Sequence, residues 1–397
     1  MVIDRFLKYV SFDTQSDESS ETTPSTAKQL NLARELEQEC KELGFDSVEL
    51  NEGTVYAILN ANTDKKLDAI GLVAHMDTAS EITGANVKPR IVENYDGSSI
   101  VLNEEYSMDP AHFPALQNVI GDDLIVTDGT TLLGGDDKAG IAIIMSSVEK
   151  LIASKKEHGL VAVAFTPDEE IGRGVKCFKL DKFPVDYAFT VDGDRIDAVD
   201  YETFNAAHAQ ITIHGSSIHP GDAKGRMVNA ALLAMEFASM LPADQTPATT
   251  EGREGFYHLV SMDGECEIAH LSYIIREHDF EKFKAQKEQM RQWVSIMNEK
   301  YGDRFDVEIH DQYYNMVQYM NGDMRSVERA RNAMESLGIT PVSTPVRGGT
   351  DGAMLTEKGL ITPNLGTGSY NHHGRFEFAD IQQMKKLVEI VSKIIEG

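Results

Sequence analysis

Apolar and polar positions along this chain follow two alternating periods. Residues 30–43 set apolar side chains three and four apart and stop at Gly44, the pattern of an amphipathic helix. Short apolar runs at 55–59, 69–74, 160–165 and 187–191 have the length of buried strands. Residues 141–152 read as a helix opened by Asp136-Asp137-Lys138-Ala139-Gly140. Strands alternating with helices predict an α/β fold with a mostly parallel sheet between helices.

The pattern changes near His208. Residues 208–214 alternate as a strand, 227–241 read as a helix, and 256–262 and 267–275 as two strands joined at Asp263-Gly264. A long helix follows at 280–300, with Asp279 as its N-cap, and then a strand at 305–310. The order β-α-β-β-α-β is that of a ferredoxin-like α+β unit. After about Tyr314 the first pattern resumes, with helices at 326–337 and 381–395. A chain of 397 residues also exceeds what one core usually supports. The prediction is a discontinuous α/β domain, 1–206 and 316–397, carrying an inserted domain at 207–315. Hinges are expected near 205–207 and 313–317.

Composition narrows the function classes. A net charge of −27 argues against nucleic acid or an anionic membrane as partner, since both require a basic surface. No apolar run approaches the roughly 18 residues that span a bilayer, and an acid stands at position 4, where the apolar core of a signal peptide would begin. Cys40, Cys177 and Cys266 are far apart and form no C-x-x-C pair, which disfavours a disulfide framework or a thiolate zinc site. A cytoplasmic protein with free thiols is the expectation.

The chemistry gathers where apolar runs end, and ligands of α/β sheets bind outside the carboxyl ends of the strands. His75 and Asp77 are two apart at such an end, so both can reach one site. Imidazole plus carboxylate suits zinc, with the acid as a ligand or as a partner of the other ring nitrogen. By itself H-x-D is equally a surface pair. Asp136-Asp137 could simply cap a helix, but one cap requires neither two acids nor the preceding Gly134-Gly135. In Asp168-Glu169-Glu170, adjacent glutamates point in different directions, so one could hold metal while the other moves protons; a solvated acidic loop would look the same. Asp192 follows another strand, and the acids from 192 to 197 lack both the spacing and the closing Glu of a calcium loop. His372-His373-Gly374 lies in a Gly/Asn-rich loop.

Taken together, the ordered set H-x-D, D-D-K-A-G, D-E-E, V-D-G and N-H-H-G resembles the M20 metallopeptidases. The strings NVKPRIVENY at 86–95, TLLGGDDKAGIA at 131–142, AFTPDEE at 164–170, EGFYHL at 254–259 and PVRGGTDG at 345–352 narrow this to the tripeptide-cleaving aminopeptidases of that family, across essentially the whole chain. The resemblance implies a zinc-exopeptidase-like catalytic domain with an inserted lid, and two Zn²⁺ per subunit, with Co²⁺ or Mn²⁺ as possible substitutes. It implies Asp136 as the bridging ligand, His75 and Asp192 at one metal, and Glu170 and His373 at the other. Asp77 would hold the His75 ring, and Glu169 would be the general acid/base while a hydroxide between the metals attacks the peptide carbonyl. His219 would steady the oxyanion from the partner subunit of a lid-mediated homodimer. Arg276 and Arg347 would take the peptide carboxylate, and Asn205 is a further candidate for substrate contact. The implied substrates are small peptides, cleaved at the N-terminal residue of a tripeptide. The metal residues fit a dipeptidase, carboxypeptidase or N-acyl-amino-acid deacylase of the same family equally well. A non-enzymatic metal-binding relic is disfavoured because Glu169 and every ligand are present, and a serine hydrolase because no G-x-S-x-G string occurs.

Overall fold

The computed structural model describes residues 1–397, which divide into two compact units. The first comprises Met1–Tyr201, Met320–Ser343 and Thr350–Gly397; the second comprises Glu202–Tyr319 and the short segment Thr344–Gly349.

The first unit is built on a seven-stranded sheet in the order Ser47–Asn51, Thr54–Leu59, Val161–Thr166, Ile70–His75, Tyr187–Gly193, Asn364–Gly366, Val199–Asp200. Its centre is parallel, from Val161–Thr166 to Asn364–Gly366, and its margins are antiparallel. The predicted parallel sheet is therefore confined to the middle strands, where helical crossovers are long enough to return the chain in the same direction. Both faces are covered, which is why Val161–Thr166 and Ile70–His75 are buried at every position. Val161, Val163 and Phe165 pack against the larger core with helices Val2–Tyr9, Gln29–Leu43, Gly135–Ser154, Arg325–Ser336 and Ile381–Ile395. Ala162 and Ala164 face the smaller core, shared with Phe178, Phe183 and Leu355 of helix Asp351–Glu357.

Parallel strands end together, so Ile70–His75 and Val161–Thr166 bring His75 opposite Thr166, with the end of Tyr187–Gly193 on the other side. Helix Gly135–Ser154 starts at these ends. Its first residues depart from helical geometry, Asp136 at φ −81°, ψ 106° and Asp137 at φ −120°, ψ 34°. The glycines around them allow close packing: a Cβ on Gly135 would lie 2.0 Å from Ser369 Oγ, and one on Gly140 would lie 1.9 Å from the Val191 carbonyl oxygen.

The second unit is a four-stranded antiparallel sheet in the order Phe256–Gly264, Ile268–Glu277, Asn205–His214, Phe305–Tyr313. In chain order this is 2-3-1-4, the ferredoxin-like arrangement expected from the element pattern. Ala209, Ile211, Leu271 and Tyr273 join Phe237, Met290 and Trp293 in its core. The alternate positions His208, Gln210 and Thr212 are partly exposed. Asp279 caps Phe280–Tyr301 through the Lys282 N–H at 2.9 Å. Helix Ala230–Ala238 begins three residues later than its apolar pattern, because Val228 pairs with Ser216 as a β-bridge and Asn229 takes the cap.

Gly140→Ala should destabilise the first unit by about 1–3 kcal/mol, since the added methyl meets a backbone carbonyl and the Asp137 carboxylate, 2.3 Å away. Urea unfolding measures this, and an unchanged midpoint would contradict the packing.

Candidate metal centre

Each acidic or imidazole group at the strand ends is held by a different element. His75 closes its strand and is 2% exposed. Its Nε2 lies 2.8 Å from Asp136 Oδ1 and 3.4 Å from Asp192 Oδ1. Its Nδ1 lies 3.1 Å from the Asp77 carbonyl oxygen and 3.4 Å from Asp77 Oδ1. On the other side of Asp136, His373 Nε2 is 2.9 Å from Glu170 Oε2 and 3.4 Å from Asp136 Oδ2. Two triads result, His75–Asp136–Asp192 and Asp136–Glu170–His373, each with ligand atoms within 4.8 Å of one another. They share Asp136, whose two oxygens face opposite ways. One nitrogen and two carboxylates per triad form a donor set that accepts zinc, cobalt or manganese.

The acids beside these triads fasten the backbone. Asp77 accepts the N–H of Glu169 at 3.0 Å and of Glu170 at 3.2 Å, fixing the turn that carries both glutamates. Asp137 accepts the His75 N–H and the Gly140 N–H, each at 3.2 Å, so it ties the strand end to the helix start. Asp168 accepts the Ser25 N–H and hydroxyl and the Gln29 amide. For two further groups the sequence pattern gave no sign of burial. Glu377 is 1% exposed and accepts the N–H groups of Leu133, Gly134 and Asp136. Lys138 is fully buried and donates to the Phe12 carbonyl at 2.8 Å. A hydrophilic run such as D-D-K ordinarily reads as solvated, so neither the burial of its lysine nor the distant glutamate could be read from spacing.

Charge follows position. Burial alone would raise the Asp136 carboxyl, but His372, His373 and His75 outweigh it and hold it well below the carboxylate range. Burial, with repulsion from Asp136, pushes Glu170 up to about 7. Asp192 rises to about 6, again chiefly through burial. Glu169 is raised well above its ordinary range by burial and the neighbouring acids, and its carboxylate makes no hydrogen bond. Burial lowers Lys138 to about 8 against the pull of Glu377, Asp13 and Asp77. His372 also approaches Asp136, Nδ1 to Oδ2 at 3.4 Å, while its Nε2 is buried without a partner.

The remaining expected residues belong to the second unit. His219 is exposed, and its Nδ1 accepts the Gly221 N–H at 3.2 Å. Arg276 lies over the Tyr313 ring and donates to Gln312. Arg347 lies between the rings of Phe204 and Phe256, donates to Thr250 Oγ1 at 2.7 Å, and keeps a buried, unpartnered Nη1. Asn205 requires a correction. It is fully buried, its amide donates to the Glu277 and His278 carbonyls, and its oxygen accepts from the Asn315 N–H and the Gln318 amide. With every hydrogen-bonding position used, it fastens strands and has none left for a substrate.

Comparison with known proteins gives the family. Residues 201–302 match the peptidase dimerisation domain of the M20 family. The chain is 52% identical over its full length to peptidase T of Caldanaerobacter subterraneus subsp. tengcongensis, covering 98% of that protein, and 53% identical to peptidase T of Desulfitobacterium hafniense, covering 97%. Among solved structures, the aminopeptidase PepT of Bacillus cereus superposes with a TM-score of 0.79 at 23% identity, over 99% of this chain and 97% of that one. A dinuclear metal-binding peptidase of the M20 family from Bacillus subtilis superposes with a TM-score of 0.65 at 13% identity, over 99% and 96%.

Hydrogen bonds with Asp136 and Glu170 push the His373 imidazole up to about 11, so it is protonated at neutral pH when no metal competes. A raised imidazole stabilises the metal-free fold fully below its unfolded value of about 6.5, and this contribution disappears as pH rises through the folded value. A metal bound through His373 would displace that proton. Uptake should therefore release protons, and apparent affinity should rise with pH. Calorimetry in buffers of different ionisation enthalpy measures the proton count, and zero release would contradict the geometry.

Proposed function

This chain belongs to the peptidase T group of the M20 metallopeptidases, and we propose that it releases the N-terminal residue of tripeptides at a two-metal centre. The observation that carries the reading is the pair of triads joined at Asp136, set in a chain that matches peptidase T relatives from end to end. His75, Asp136 and Asp192 would hold one divalent ion, and Asp136, Glu170 and His373 the other, with zinc the first candidate. When bound, such ions lower the pKa of water and polarise the scissile carbonyl.

The chain's own residues do the rest. Glu169 accepts a proton from the attacking water and returns it to the leaving amine. Its raised affinity for protons and its free carboxylate suit that exchange. Asp77 fixes its backbone and helps orient the His75 ring. We assign the first unit as catalytic and the second as a lid. In His219, Nδ1 accepts a hydrogen bond, so the ring proton sits on Nε2, where it can donate to a developing oxyanion. Neither Arg276 nor Arg347 is paired with a carboxylate. The orphaned Nη1 of Arg347 is the stronger reason to place the peptide's C-terminal carboxylate there.

We also assign a homodimer formed through the lid. Edge strand Phe256–Gly264 leaves Val260 and Met262 exposed, and helix Ala230–Ala238 beside it exposes Leu232 and Met235. An unpaired edge with apolar neighbours favours pairing with a second copy. No helix is long and apolar enough to cross a membrane, and the three cysteines are free, which suits a reducing cytoplasm.

Product analysis on di-, tri- and tetrapeptides with free and blocked termini tests the substrate assignment. Cleavage of N-acyl amino acids but of no tripeptide would sink it. Glu169→Ala should keep its metal and lose about 10²–10⁴-fold in turnover. Asp136→Ala should lose metal from both sites, as elemental analysis would reveal.

A further inference from the structure

One buried acid close to this centre has no part in the mechanism above. Asp351 opens helix Asp351–Glu357 and is 2% exposed. It is not the helix cap, because the Thr350 hydroxyl accepts the Ala353 N–H in that role. Its Oδ2 accepts the hydroxyl of Thr166 at 2.7 Å, while Oδ1 has no partner. Thr166 is the last residue before the turn that carries Glu169 and Glu170, and its own carbonyl accepts the Met76 N–H, between His75 and Asp77. The far side of the turn reaches the same carboxylate. A Cβ on Gly174 would lie 2.2 Å from Asp351 Oδ1 and 2.4 Å from Oδ2, so the Gly174 backbone is seated directly on it. Between these ends the chain doubles back tightly, through positive φ at Asp168 and Gly172 and a hydrogen bond from the Arg173 N–H to the Asp168 carbonyl.

We propose that Asp351 is a positioning residue for the reaction, locking the turn of Glu169 by holding Thr166 at one end and Gly174 at the other. The inference rests on the assignment of Glu169 as general acid/base. Asp77 fixes the N–H groups at the front of the turn, and Asp351 fixes its two ends from behind. An ionised carboxylate with a bare oxygen at this depth would be costly. Burial pushes Asp351 up to about 7, consistent with a neutral hydrogen-bonding role. An amide keeps the acceptor for Thr166, so asparagine should serve where alanine does not.

The test compares kcat, KM, bound metal and thermal midpoint for Asp351→Asn, Asp351→Ala and Thr166→Val, and repeats Asp351→Ala on the Glu169→Ala background. Assayed at saturating metal, Asp351→Ala and Thr166→Val should lower kcat about ten- to a hundredfold with KM unchanged. Asp351→Asn should stay within about threefold of the parent. In the absence of Glu169, losing Asp351 should cost nothing more. A further, multiplicative loss on that background at saturating metal would place the action of Asp351 elsewhere and overturn the proposal, as would an Asn variant as poor as Ala. Failure of the Glu169 assignment would show separately, as near-parental turnover of Glu169→Ala alone. If Asp351→Ala does not fold, Asp351→Asn and Thr166→Val still decide, since both nearly conserve shape.

Discussion

Crowding of carboxylates at three strand ends is the constraint on which the rest of this structure depends. Two like charges 4 Å apart repel by about 4 kcal/mol at an effective dielectric of 20. The acids here answer that repulsion in three ways. Asp77, Asp137 and Glu377 take backbone N–H donors. Asp136, Asp192 and Glu170 have imidazoles nearby. Glu169 has neither. Those fastened by amides are already satisfied and gain little from a cation. Those that rely on imidazoles surround the space where a divalent ion would replace protons.

The satisfied acids are also what assembles the site. Asp137 joins the His75 strand to the helix start, Asp77 joins the same strand to the glutamate turn, and Glu377 joins the C-terminal segment to the loop before Asp136. Each reaches backbone from another part of the chain, so residues far apart in sequence are brought within a few ångströms by these hydrogen bonds. Lys138, buried against the Phe12 carbonyl, sets a positive charge among them and ties in the N-terminal segment.

Much of this was legible in the sequence, and the boundary has physical reasons. Periods of two and of three to four found the strands and helices because burial of one or both faces imposes those periods. The order of elements gave the ferredoxin-like unit, since short connections restrict its topology. The acids at 75–77, 136–137, 168–170 and 192 stood out because each follows an apolar run. Glu377 and Asp351 did not, since their partners are backbone amides, a threonine hydroxyl and a glycine more than a hundred residues away. Asn205 misled for a related reason: a polar residue near a chain crossing can face substrate or fasten strands, and only its four partners distinguish these. Nor does any local pattern announce that Thr344–Gly349 returns to pair beside Thr203.

The same sorting of partners explains why two adjacent glutamates can differ in chemistry. Glu169 and Glu170 share one backbone anchor, the two oxygens of Asp77, so neither can move far. From that anchor the side chains diverge. Glu170 meets His373 and lies within reach of Asp136, which makes it part of a donor set. Glu169 meets no donor, and burial beside Asp192, Asp351 and Glu170 favours its protonated form. A group that must both accept and release a proton within one cycle cannot be pinned by a strong donor, because the donor would stabilise the carboxylate throughout. If Glu169 is the general acid/base, as proposed above, its precision would come from the backbone that carries it, with the rigidity of the turn from Thr166 to Gly174 substituting for the hydrogen bond that the side chain lacks.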